Sequence, residues 1–184
     1  MNYSFEVNVD DNKYYEFNKY TMLYPHGKKE KFLRTKLLLP AVFLLAWVIN
    51  LISGKDWEYL TISILVYAVA SVIWMFIVTP YNLFALKMNM RFFRKKGKLP
   101  YSEHSRIQFL DDCYIDESET VKEETKYDAI TCICENKGKA IYLYQGLLRA
   151  NIIPYSAFES DEQKEAFLEF ISKKTGKSVI TQKL

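Results

Sequence analysis

The stretch LLLPAVFLLAWVINLISG (residues 37–54), then KDWE (55–58), then YLTISILVYAVASVIWMFIVTPYNLFAL (59–86) decides how this chain is read. Two uncharged apolar runs are separated by only Lys55, Asp56, Trp57 and Glu58. A bilayer core about 30 Å thick needs roughly 20 apolar residues in a helix. Leu37 to Gly54 is near that minimum, and Tyr59 to Leu86 exceeds it. Neither run carries the polar face that a helix at the surface of a soluble core requires. The expectation is therefore a transmembrane helical hairpin over residues 37–86. Pro40 is placed in the first turn of its helix, where a missing N–H costs little.

Charge on the flanks sets the orientation. Lys28, Lys29, Lys31, Arg34 and Lys36 precede the first run, and Lys87, Arg91, Arg94, Lys95, Lys96 and Lys98 follow the second. The connecting loop offers Lys55 alone. Basic residues stay on the cytoplasmic side, so both termini are expected there, with the protein multi-pass in the inner membrane. Lys28, Lys29, Arg34, Arg91, Arg94, Lys95, Lys96 and Lys98 are candidates for contact with anionic lipid headgroups. The positive-inside bias accounts for these charges without a nucleic-acid partner. The N-terminus, MNYSFEVNVDDNKYYEF, is polar and does not read as a signal peptide.

Outward from the hairpin, the fold class expected is α+β. Residues 1–36 form a strand-helix segment: Tyr3, Phe5, Val7 and Val9 alternate with polar residues, and Asp10-Asp11 cap a helix running to Tyr24 with its stop at Pro25 and Gly27. Residues 87–98 read as a basic juxtamembrane linker. Residues 99–184 form a soluble β-rich domain of short strands. Arg106–Phe109 and Cys113–Ile115 flank an Asp111-Asp112 turn, Tyr127–Glu135 alternates, and Ala140–Tyr144 and Arg149–Ile153 follow. Ser160 then caps a helix to about Thr175, with Ala166, Phe167, Phe170 and Ile171 as its inner face and Gly176 as its stop. One curved sheet or partly open barrel closed by this helix is the expected result.

The stretches FLDDCYIDES, KYDAITCICENKGKAIYLYQ and NIIPYSAFESDEQKEAFLEFI resemble the bacterial YcxB-like membrane proteins. The matching positions of the last block are Ile152, Ile153, Pro154, Phe158 and the helix from Asp161. The resemblance implies a C-terminal domain like a bacterial pleckstrin-homology domain, a bent sheet plugged by a helix. It implies no activity.

No chemistry-bearing constellation emerges. Cys132 and Cys134 share one face of a strand, but Cys113, His26 and His104 are the only other soft ligands. Buried packing residues are the expectation, with no metal. Reduced thiols suit a cytoplasmic domain. His104 lies near Ser102, Ser105, Asp111 and Asp112, without the turn that a serine nucleophile needs. No glycine-rich phosphate loop exists, and no cofactor is expected. The spans carry no Asp, Glu, Lys or Arg, which disfavours ion-coupled transport. Ala68, Ala70 and Ser71 would let helices, or two copies, approach closely. Asp116, Glu117, Glu119, Glu123 and Glu124 form an acidic stretch expected to face the cytosol as a docking surface for a protein partner. The functional expectation is a non-enzymatic membrane protein that binds a protein at the cytoplasmic face, such as a toxin or bacteriocin in an immunity role. The alternative is a lipid- or signal-binding module.

Overall fold

The computed structural model describes residues 3–24, 26, 29–97, 99–146 and 149–184, with the side chains of 29–35 excluded. The chain divides into two units, residues 1–28 with 90–184, and residues 29–89.

The smaller unit is helical. α2 runs Lys29–Ile52, and α3 starts at Trp57 and continues to Lys95, beyond this unit. α1 (Asp11–Leu23) belongs to the larger unit. Gly54, at φ +69°, takes the left-handed turn between α2 and α3. The Trp47 indole N–H donates to the Leu60 carbonyl at 3.0 Å, and the Phe43 and Tyr67 rings stack at 5.1 Å. Apolar side chains such as Leu44, Leu45, Leu65 and Phe76 are exposed. Among the described residues, Trp57–Lys95 alone is long and apolar enough to cross a membrane, and Lys36–Ile52 is a shorter apolar stretch. One helix of the expected pair thus meets the requirement. α2 also begins ahead of the apolar run, in the basic flank. Pro40 therefore lies inside the helix, not in its first turn, and removes an internal hydrogen bond there. Likewise, helix α3 continues through Lys87 to Lys95, where a linker was expected.

The larger unit is α+β, as expected, and its strands form two four-stranded sheets where a curved sheet or partly open barrel was expected. β1 (Tyr3–Asn8), β2 (His104–Phe109), β3 (Cys113–Ser118) and β4 (Lys122–Lys126) form an antiparallel meander. β5 (Cys132–Asn136), β6 (Ala140–Tyr144), β7 (Ala150–Pro154) and β8 (Val179–Gln182) form the second sheet in the order β7-β6-β5-β8. β8 runs parallel to β5. β1 joins its sheet by pairing with β2, Phe5 opposite Ile107. The alternation expected from Tyr127 begins late, because Tyr127–Ala129 make a 3₁₀ turn. The Tyr127 hydroxyl donates to the Leu110 carbonyl at 2.7 Å and holds that turn against the first sheet.

Two helices cover the sheets. In α1 (Asp11–Leu23), the Asp10 carboxylate caps by accepting the Lys13 amide at 2.7 Å. Phe17 and Tyr20 pack on Tyr142, 5.2 and 5.1 Å between ring centres. The expected stop at Pro25 and Gly27 lies outside the described residues. In α4 (Asp161–Thr175), Ser160 accepts the Gln163 amide and Gly176, at φ +66°, ends the helix. Its buried face is Phe167, Leu168 and Ile171, with Phe170 partly buried; Ala166 is exposed instead, one position off the stripe. Phe167 sits 4.9 Å from Phe109 and 5.0 Å from Phe5, both edge-on, so β1 and α4 share one aromatic core.

Candidate functional site

A cleft of about 330 Å³ opens where β2 and β3 of the first sheet approach β7 of the second. The meander places its polar groups. Antiparallel register sets Asp116 directly opposite Glu123, so two carboxylates point to one face, while Glu117 and Lys122 point to the other and pair at 3.3 Å. The like-charge pair in the cleft is answered by Arg149, whose guanidinium bridges to Glu123. Asp116 is half-buried and accepts the Asn151 side-chain amide at 2.5 Å. The Asn151 carbonyl oxygen in turn accepts from the Tyr114 hydroxyl and from the Gln145 amide, both at 2.7 Å. A polar chain thus runs from one sheet to the other. Stacked Tyr14 and Tyr101, 4.5 Å apart, form an aromatic wall.

Burial pushes the Asp116 carboxyl above its ordinary value. Hydrogen bonds from Ser105 and Asn151 oppose the shift, Glu123 adds to it and Arg149 subtracts. Close by, the Tyr101 hydroxyl donates to Asp11 at 2.5 Å, and Arg94 bridges Asp11 at 2.7 Å and Glu103 at 3.1 Å. The Tyr101 hydrogen bond holds Asp11 below its ordinary value; burial opposes it, and the hydrogen bond and charge of Arg94 reinforce it.

The expected acidic docking stretch is therefore divided. Asp116 and Glu123 line the cleft, Glu117 is paired, and Glu119 and Glu124 are exposed. Of the headgroup candidates, Arg91, Lys95 and Lys96 are exposed, and Lys96 lies over the Phe92 ring at 4.2 Å. Arg94 is engaged by Asp11 and Glu103. Lys28 and Lys98 lie outside the described residues, as do the side chains of Lys29 and Arg34. Asn151, Arg149 and Gln145 had no site signal of their own in the sequence, and Ser105 was read only beside His104, because the cleft is assembled from strands far apart along the chain.

Cys132 and Cys134 are buried with their sulfurs 3.3 Å apart. The hydrogen bond with Cys132 and burial raise Cys134 far above its ordinary value, which keeps it a thiol. Among the described residues no group of three His, Cys, Asp or Glu side chains is arranged to hold a metal. His104 is hydrogen-bonded to Asn8 at 2.5 Å.

Residues 109–171 match the family model described as YcxB-like protein, and the resemblance read from the sequence holds over that span. The match runs from the end of β2 through most of α4. No curated protein and no solved structure matches the chain.

Proposed function

We propose that this chain is a non-enzymatic, bilayer-anchored binding module, with a two-span hairpin and a cytoplasmic unit that recognises a protein partner. The pairing of β1 with β2 carries the reading. β1 precedes both apolar helices and β2 follows them, so the chain between Asn8 and His104 must return to the side it left. Any membrane crossing by α3 then requires a second crossing, for which α2, apolar over Lys36–Ile52, is the element at hand. The basic flanks support a cytoplasmic position for the shared side. The resemblance to YcxB-like proteins supports a pleckstrin-homology-like reading of the cytoplasmic unit.

The cleft is the proposed recognition site. Two carboxylates against one guanidinium, beside stacked tyrosines, favour a partner that inserts a lysine or arginine side chain. A photo-crosslinking residue in place of Ser102, on the cleft rim, should capture a partner in native membranes. Asp116→Asn with Glu123→Gln should abolish that adduct, and an adduct unaffected by the double substitution would remove the cleft from the reading. Toxin immunity is the specific case: deletion should sensitise cells to one toxin only, and unchanged survival against every toxin encoded nearby would eliminate it.

The second reading, lipid recognition, draws on exposed Arg91, Lys95 and Lys96 beside exposed Phe92 and Phe93. Neutralising the three basic residues should then lower the anionic lipid that co-purifies with the full chain. Retention of that lipid would count against it.

A further inference from the structure

The outer strands of the two sheets differ in chemistry. β1 and β7 lie against each other. β4 reads Lys-Glu-Glu-Thr-Lys, and charges of this kind discourage pairing with another chain. β8 reads Val-Ile-Thr-Gln, uncharged and largely β-branched. Its Gln182 carbonyl accepts the Lys137 amide at 2.8 Å from the β5 side. By the alternation of a parallel ladder, Val179 and Thr181 turn their backbone N–H and C=O away from β5. Their side chains line a groove of about 540 Å³ between β8 and α4, and the Thr181 hydroxyl donates to Glu135 at 2.7 Å. Glu165 and Glu169 of α4 also line this groove, and Lys183 follows β8 in the chain.

We propose that β8 pairs antiparallel with β8 of a second copy across a two-fold axis, with Thr181 opposite its own counterpart. In that register the outward backbone groups meet at Thr181, and again between Val179 and Lys183 of the other copy. Residues directly opposite share a face. Lys183 of each copy therefore enters the other's groove opposite Val179 and beside Glu169, the neighbouring Glu165 being already paired with Lys164 at 3.0 Å. The acidic wall of α4 and the basic residue after β8 are complementary under the same symmetry operation that pairs the strands.

The test uses the full chain in nanodiscs and reads association by energy transfer between labelled copies. Lys183→Glu and Glu169→Lys should each weaken the dimer about tenfold, and the combined variant should recover toward the unmodified value. Both side chains are exposed, so folding is not at stake. Thr181→Pro, which removes an outward N–H and spares the backbone bonds to β5, should abolish association while the circular dichroism spectrum stays unchanged, and Thr181→Val, which loses only the hydroxyl bond to Glu135, should leave association intact. A monomeric unmodified chain, a combined variant without recovery, or a dimer that survives Thr181→Pro would each overturn the proposal.

Discussion

At the scale of single residues, Asp116 carries the clearest pH signature. Its folded carboxyl binds a proton above its ordinary value of 3.8, so the folded state holds more protons than the unfolded chain in the window just above that value. The stability gained from the protonated form is fully present below 3.8 and is lost as pH rises through the folded value. Asp116→Asn removes that dependence. Thermal unfolding of the variant should vary less with pH in this window, and its midpoint at neutral pH should equal or exceed that of the parent chain; a lower midpoint would contradict the assignment. Asp11 has the opposite sign. Tyr101 and Arg94 lower its value, so its contribution is present above the ordinary carboxylate range and fades as pH falls. Asp116 and Glu123 were visible in the sequence as part of an acidic stretch. Their position on the cleft face was not, because it depends on the register of β3 against β4 and on Asn151 reaching in from the other sheet.

At the scale of elements, local chemistry was legible wherever a cap wrote it down. Ser160 and Gly176 bounded α4 correctly, and Asp10 started α1. β8 was missed because four residues between lysines carry too little alternation to register, and its partner β5 is distant in the chain. Helix α3 exceeded its apolar run because lysine and arginine are good helix formers and suit a helix C-terminus. Gly176 links α4 to β8 through its left-handed turn. Gly176→Ala should cost about 1 kcal/mol and raise amide exchange in β8 more than in β6. Uniform protection across both strands would place the strain elsewhere.

At the scale of the whole molecule, the segment ahead of the apolar helices supplies Phe5 and Val7 from β1, together with Val9, Phe17 and Tyr20, to a core otherwise built from residues after those helices. On the proposed two-span reading, removing residues 2–9 should leave the chain in the membrane fraction after carbonate extraction, since α2 and α3 are intact. The β-rich unit should become protease-sensitive, because the edge of β2 and the aromatic ring around Phe167 lose their cover. A protease-resistant unit in the truncated chain would show that β1 is dispensable. The two-sheet division itself could not be read from alternation alone, since alternation fixes which face of a strand is buried but not which strands share a sheet.

The same pairing governs biosynthesis. β1 leaves the ribosome ahead of both apolar helices, and β2 emerges only after both have been made. At about 5–20 residues per second, the nascent strand waits roughly 5–20 s for its partner. Its Tyr-Ser-Phe-Glu-Val-Asn edge is unpaired throughout that interval. In the proposed two-span arrangement, closure of the first sheet therefore doubles as a checkpoint on insertion: only a chain threaded out and back again can bring β2 to β1.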